Sequence, residues 1–218
     1  MRAGCDALAE MMQRAMERHH KKATRNVRTL ALSLALMFVL GCGPSESGDS
    51  ASLAPTAKSG TADQSLHDAA FAGDVAQAQR ALGQGAGVNA ADEENRTPLM
   101  LAAFNDFEGV AKLLLDRGAR VDERDKAGRT ALLYAASGPN MKTVRLLLDQ
   151  GADVNATDNG EGWTALMFAA AEGHAAVVQV LLENGADTSI QDVDGETALK
   201  FASDKGHTGV IGLLGNRR

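Results

Sequence analysis

Four threonines recur at an almost constant spacing between residues 97 and 197. Each is followed by a leucine two residues later, then by small residues and further on by two or three leucines, and in the first three copies by a Gly-Ala pair. A unit this short cannot bury the apolar side of its own helices, so neighbouring copies must stack on one another. The spacing therefore predicts a row of like helical units. The threonines are Thr97, Thr130, Thr164 and Thr197, 33, 34 and 33 residues apart.

The residues of one copy indicate where its helices begin and end. Thr97 can accept hydrogen bonds from the unpaired N–H groups of a first helical turn, and Pro98 suits the position after it. Gly118, like Gly151 and Gly185 in later copies, follows a leucine-rich stretch, where a helix C-terminus favours a residue with positive φ. The pattern predicts two short helices per copy, separated from the next copy by a turn. An extra residue in "DNGEGW" predicts a larger turn before Thr164.

The copies together resemble the ankyrin repeat, whose signature includes T-P-L-H-x-A-A, G-H, a leucine pair and G-A-D-V-N. "GWTALMFAAAEGHAAVVQVLLENGAD" follows that signature through the fourth copy, and Gln64 takes the threonine position in a degenerate first copy. The resemblance implies an all-α ankyrin repeat solenoid of about five helix-turn-helix units joined by hairpin-like loops. The repeat domain would cover residues 62–218, as copies 62–94, 95–127, 128–161, 162–194 and 195–218.

The first 41 residues have the organisation of a secretory signal peptide. A basic stretch precedes the apolar run Leu30 to Leu40, and small residues follow it. Eleven residues of helix reach only about 16 Å, too short to span hydrocarbon. A buried core helix is the alternative, but the run lacks the polar positions that such a helix alternates with. Since signal n-regions are short, we expect translation to start at Met16.

Val39-Leu40-Gly41-Cys42 resembles the bacterial lipobox, which implies acylation of Cys42 and cleavage before it. Residues 42–61 are rich in Ser, Gly, Ala and Pro, so we expect a flexible tether. Gly43 after the cysteine favours the outer membrane over the inner one by resemblance to enterobacterial sorting. The chain would then be held by lipid in a bacterial envelope, facing the periplasm. From Cys42 onward it carries 15 Lys and Arg against 25 Asp and Glu.

Several classes of function lack support in the sequence. The net charge of −6 gives a nucleic-acid partner no general attraction. His174 and His207 stand one repeat apart without nearby cysteines, so no metal site is expected. No phosphate-binding loop or nucleophile elbow occurs. We therefore expect no enzyme and no cofactor.

The function that remains is binding of a protein partner. The resemblance to ankyrin repeats implies that binding occurs on the concave face of the repeats. We expect the protein to be a monomer. Trp163 is the sole tryptophan, and aromatic residues beside arginine often dominate binding energy. The alternative is that Trp163 packs on the neighbouring turn. The candidate binding residues are Arg96, Phe104, Asn105, Arg129, Ser137, Trp163, Glu172, Glu196 and Asp204.

Four roles fit these expectations. The first is an envelope protein that binds a periplasmic or membrane-bound partner. The second is an immunity or inhibitor protein that blocks a toxin, for which the acidic composition suits a basic partner. The third, implied by the resemblance, is a supporting role in oxidative-stress defence alongside catalase. The fourth is a cytoplasmic or host-delivered effector whose apolar leader is not a signal peptide.

Overall fold

The computed structural model describes residues 57–215, and in this range the predicted pairs of short helices are present in all five copies. The predicted signal peptide, residues 1–41, and Cys42 lie outside the described residues. We number the copies as repeats 1 to 5. Their helices are α1 (Ala57–Ala72) and α2 (Val75–Gly83), α3 (Pro98–Phe104) and α4 (Glu108–Asp116), α5 (Ala131–Ala136) and α6 (Met141–Asp149), α7 (Ala165–Glu172) and α8 (Ala175–Glu183), and α9 (Ala198–Lys205) and α10 (Thr208–Gly215).

The helices form two layers. The first helices of the repeats contact one another in the order α1, α3, α5, α7, α9, and the second helices in the order α2, α4, α6, α8, α10. Within each repeat the two helices also contact each other. Contacts therefore link each repeat to its immediate neighbours, which is the arrangement of a helical solenoid.

The predicted threonine caps are present in repeats 2 to 4. The hydroxyl of Thr97 accepts from the N–H of Met100 at 3.4 Å, and that of Thr164 accepts from Met167 at 3.3 Å. In the same two repeats the threonine N–H donates to the methionine sulfur, at 3.4 and 3.5 Å. Thr130 makes the corresponding bond to Leu133 N. Thr197 occupies the same position in repeat 5, but its side chain makes no capping bond.

The turns between repeats use residues with positive φ, as the sequence predicts. Gly118, Gly151 and Gly185 follow the second helices with φ of 86°, 84° and 85°. Asn95 stands where later repeats have glycine, and it too is left-handed, with φ of 60°. Because a β-carbon makes this conformation costly, asparagine or glycine is favoured at such positions.

A row of side chains connects each turn to the next. Asn89 Oδ1 accepts from the N–H of Arg120 at 2.9 Å, and Asn155 Oδ1 accepts from Asp187 at 2.9 Å. Asp122 Oδ1 accepts in the same way from Asp153, at 3.1 Å. Each acceptor lies about one repeat before its donor. The turns are therefore held in register by side chains of the preceding repeat.

The buried apolar side chains lie between the two helix layers along the stack, and they do not surround a single centre. The leucine two residues after each threonine position is at most 1% exposed in repeats 1 to 4. Its equivalent in repeat 5, Leu199, is 36% exposed. No later repeat covers Leu199 within the described residues. The buried equivalents are Leu66, Leu99, Leu132 and Leu166.

Repeat 1 begins earlier than the sequence indicates. Helix α1 starts at Ala57, five residues before the predicted boundary at Ala62, and so includes the last part of the predicted 42–61 tether. Its sequence from Ala57 contains no proline, the residue most able to stop a helix. Among the helices of residues 57–215, none is long and apolar enough to cross a membrane.

Candidate functional site

Aromatic side chains collect along the layer of first helices and the turns that lead into them. We call this set, Phe104, Tyr134, Trp163, Phe168 and Phe201, the aromatic face. Tyr134, Phe168 and Phe201 are each the fourth residue after a repeat's threonine, so the repeat places them in equivalent positions on α5, α7 and α9. All except the buried Tyr134 are half-buried, which leaves part of each ring accessible.

A constant register links the turns to these rings. The residue just before a threonine reaches the fourth-position ring of the following repeat. The guanidinium of Arg129 lies 5.9 Å from the centre of the Phe168 ring, a cation–π distance. The Trp163 and Phe201 ring centres are 4.6 Å apart. Side chains from adjacent repeats therefore alternate along one continuous surface.

Trp163 is the best connected member of the aromatic face. Its ring meets Phe168 of its own repeat edge-on, with 5.0 Å between centres and 64° between planes. The larger turn before it is ordered by Asp158, whose Oδ1 accepts from the N–H groups of Glu161, Gly162 and Trp163. Trp163 thus packs on the rings of two helices, and it stays partly exposed.

Tyr134 is the buried member of the aromatic face, and its hydroxyl is hydrogen-bonded. Its hydroxyl donates to Asp125 Oδ2 at 2.7 Å, and Asp125 Oδ1 accepts from the N–H of Arg129 at 2.8 Å. Burial, followed by the hydrogen bond to the Asp125 carboxylate, raises the pKa of Tyr134 well above its usual value. The ring meets Phe104 edge-on, at 6.1 Å between centres. Tyr134 therefore stays a neutral donor that fixes the turn carrying Arg129.

Among the predicted polar binding residues that have internal partners are Asn105, Ser137 and Arg96. Asn105 donates from Nδ2 to the carbonyls of Leu101, at 3.2 Å, and Phe71, at 3.5 Å. Ser137 Oγ donates to the Tyr134 carbonyl at 2.7 Å. Arg96 Nε lies 2.8 Å from Asp92 Oδ2 in a half-buried ion pair. These contacts assign Asn105 and Ser137 a structural task, and their role in binding stays a prediction.

The predicted acidic residues lie toward the last two repeats. Glu172, at the end of α7, and Asp204, on α9, are exposed, and Glu196 is half-buried in the turn before α9. Lys200 Nζ lies 2.6 Å from Asp204 and 3.8 Å from Glu196. Arginines therefore lie near one end of the aromatic face and mainly carboxylates near the other.

The sequence predictions missed three of the five aromatic residues. Tyr134, Phe168 and Phe201 lie within the first helices of their repeats, and none of them is among the candidate binding residues predicted from the sequence. The signal that identifies them is the recurrence of an aromatic residue at one position in three successive copies. Apart from Tyr134, the buried positions of α5, α7 and α9 hold Leu, Met and Ala.

Two of the three histidines of the described region make hydrogen bonds within the fold. The ring nitrogens of His67 lie 2.9 Å from the carbonyl oxygen of Asp63 and 3.2 Å from that of Arg96. His207 Nε2 lies 3.0 Å from the Ala171 carbonyl of the preceding repeat. Within residues 57–215, no three or more His, Cys, Asp or Glu side chains are grouped so that they could hold a metal ion.

Paired helices in two layers, with side chains from successive repeats meeting on one face, define a helical repeat protein. A family model described as ankyrin repeats (3 copies) matches residues 66–158. A second, ankyrin repeats (many copies), matches residues 147–202. The two together cover more than half of the chain, which belongs to the ankyrin repeat family. No curated protein matches it.

Membership of this family confirms the predicted all-α repeat fold. Ankyrin repeats are in general scaffolds for protein–protein interaction and not catalysts. The chain is therefore a protein-interaction module.

Proposed function

We propose that this ankyrin protein is held by lipid at Cys42 in a bacterial envelope and binds a protein partner through the aromatic face. The observation that carries the binding proposal is the continuous contact of Arg129, Phe168, Trp163 and Phe201 across three repeats. Partly accessible aromatic rings beside arginine are the residue types that contribute most to binding energy at protein interfaces.

The charge distribution specifies what the partner should present. Arg129 lies on the repeat 3 side of the rings, whereas Glu172, Glu196 and Asp204 lie on the side of repeats 4 and 5. Complementary charges raise association rates and fix the direction of binding. We expect the partner to place an apolar or aromatic group over Trp163, a carboxylate toward Arg129, and a Lys or Arg toward the acidic end.

The envelope part of the proposal rests on the lipobox-like sequence that ends at Cys42. Two or three acyl chains anchor a protein stably, because each buried methylene contributes about 0.8 kcal/mol. About fourteen residues, rich in Ser, Gly, Ala and Pro, separate Cys42 from the start of α1 at Ala57. A segment of this composition and length would let the repeats meet partners near the membrane surface.

The binding proposal is tested by site-specific photo-cross-linking in intact cells. A photoreactive residue at Glu172, which is exposed beside the rings, should cross-link to a defined protein. The same residue at Lys142, exposed on α6 in the other layer, is the matched control. Cross-linking from position 142 that equals that from position 172 would contradict the assigned surface.

A charge reversal completes this test without removing packed atoms. Trp163→Ala should abolish the cross-link, but it also removes ring contacts that contribute to stability. Glu172→Lys changes charge on an exposed side chain, so we expect the fold to be unchanged and the rate of association with a purified partner to fall. Met141→Ala, which truncates an exposed apolar residue on α6, should leave both binding and melting unchanged.

Anchoring is tested separately, by metabolic labelling with palmitate. The wild-type chain should incorporate label and fractionate with membranes, and Cys42→Ala should do neither. Label that persists in Cys42→Ala, or is absent from the wild type, would remove the lipid anchor from the proposal. It would leave the aromatic face as the binding surface, because the cross-link does not depend on Cys42.

A further inference from the structure

We infer that Asn159, in the turn before Trp163, is a site of spontaneous deamidation. This covalent change replaces the neutral side-chain amide of Asn159 by a carboxylate. The described residues contain two Asn-Gly pairs, Asn159-Gly160 and Asn184-Gly185. Asn-Gly is the sequence in which this reaction meets least steric hindrance, because glycine has no side chain beside its nitrogen. The two pairs have the same sequence and different local structure, so structure decides which of them reacts.

The reaction needs only water. The Gly160 backbone nitrogen attacks Cγ of Asn159, the new N–Cγ bond closes a five-membered succinimide, and the Cγ–Nδ2 bond breaks. The glycine N–H proton leaves with the departing amide nitrogen as ammonia. Water then adds to either carbonyl of the ring and opens it to aspartate or isoaspartate. No oxidation or reduction occurs, and no other reactant is consumed.

The attacking nitrogen is available at Gly160. Asn159, Gly160 and Glu161 are exposed and form a bend without regular hydrogen bonding. Asp158 accepts from the N–H groups of Glu161, Gly162 and Trp163, whereas the N–H of Gly160 donates to no group in the described part of the chain. The position of a Cβ at Gly160 is open space. The nitrogen that must reach Asn159 Cγ is therefore not held by a hydrogen bond, and the Asn159 side chain has only its packing against Gly128 to leave before the ring can close.

The second pair is held at a helix end. Gly185 N–H donates to the Leu182 carbonyl at 3.3 Å, so its nitrogen is engaged. Asn184 Nδ2 donates to the Val180 carbonyl at 2.8 Å, which turns its side chain back along α8 and away from Gly185. Both bonds must break before the ring can close, and each protein hydrogen bond adds a cost to opening.

Conversion at Asn159 would change the contact between the turns of repeats 3 and 4. The amide of Asn159 lies directly against Gly128, in the space that a β-carbon would occupy there. Its backbone N–H donates to the Ala127 carbonyl at 2.8 Å. Aspartate keeps this backbone but adds a negative charge. Isoaspartate inserts a methylene into the main chain, which shifts the link to Ala127 and the turn that positions Trp163.

The test follows both asparagines in one molecule. Purified full-length protein is incubated at mildly alkaline pH and digested with trypsin, which leaves residues 146–200 as a single peptide because it contains no internal Lys or Arg. Fragmentation in a mass spectrometer then places each deamidation. We expect Asn159 to convert at least about tenfold faster than Asn184, given the two hydrogen bonds that hold the second pair.

Two controls separate local structure from sequence. In denaturant the two pairs should convert at similar rates, since both lose their hydrogen bonds. Gly160→Ala should slow conversion at Asn159 and keep the fold, because Gly160 has no positive φ and has room for a methyl group. Equal native rates at the two sites would overturn the inference, as would a native Asn159 that stays intact while the denatured chain converts.

Discussion

Repeats 4 and 5 share a sequence pattern and differ in what surrounds them. Each opens with Thr-Ala-Leu, yet Leu166 in repeat 4 is 1% exposed and Leu199 in repeat 5 is 36% exposed. Thr164 caps its helix through its hydroxyl, and Thr197 does not. Equivalent residues of the two repeats therefore contribute differently to stability. Burial in a solenoid depends on neighbouring repeats as well as on a repeat's own sequence.

Repeat 5 has polar side chains at two positions where repeat 4 has buried apolar ones. Lys200 stands where repeat 4 has the buried Met167, and Ser203 stands where it has Ala170. Lys200 bonds to Asp204 on the same helix. These polar side chains lie in the more exposed surface of α9, while Leu199 retains the side chain of the shared pattern.

The largest expected difference concerns the paired leucines. Leu166→Ala should lower the free energy of unfolding by about 3 kcal/mol, as for a fully buried leucine. Leu199→Ala should lower it by about 1 kcal/mol, because part of the side chain is already in water. Urea unfolding followed by circular dichroism measures both. Equal losses would show that repeat 5 is covered in solution in a way that the structure lacks.

The interface between the two repeats gives the second comparison. His207 of repeat 5 lies 3.0 Å from the Ala171 carbonyl and covers Gly173, whereas the ring of His174 makes no hydrogen bond within the described residues. His207→Ala should cost about 1 kcal/mol. His174→Ala should change the melting temperature by less than His207→Ala does, and a larger loss at His174 would contradict the assignment of the interface to His207.

The helix caps come third. Thr164→Ala should destabilise by about 1 kcal/mol, since it removes the acceptor of Met167 N–H. Thr197→Ala should change stability by less than about 0.5 kcal/mol, because the Thr197 side chain makes no capping bond that could be lost. Hydrogen exchange at the first turns of α7 and α9 measures each cap locally. Faster exchange in α9 than in α7 of the unaltered chain is the corresponding expectation.

The smallest effect is expected at the exposed Lys200 pair. The hydrogen bond to Asp204 raises the pKa of Lys200, so the folded chain holds this proton more tightly than the unfolded chain. The resulting stabilisation is fully present below the ordinary lysine pKa and is lost as pH rises through the raised one. The melting-temperature difference between wild type and Lys200→Gln should accordingly vanish at high pH and shrink with salt.

The sequence allowed the helix starts and the turns to be predicted, because each depends on chemistry within a few residues. Thr97 and Pro98 begin α3, and Gly118 and Asn95 take positive φ, as expected. The aromatic face was only partly predictable. Trp163 meets Phe201, 38 residues later, and that pairing is set by the offset between stacked repeats.

The exposure of Leu199 in repeat 5 likewise could not be predicted from the local sequence pattern. The residues around Leu199 keep the Thr-Ala-Leu start found around Leu166, and Leu199 is nevertheless exposed because no later repeat covers it within the described residues. Trp163 illustrates the same limit, because its accessibility depends on the rings of Phe168 and Phe201, which lie on two different helices.

The side-chain acceptors that join successive turns have a mechanical consequence. Asn89, Asp122 and Asn155 each hold only the next repeat, so these couplings act in series. A pull along the stack would load every coupling equally, and the weakest would set the tensile strength of the whole. Strengthening any other coupling would leave the breaking force unchanged.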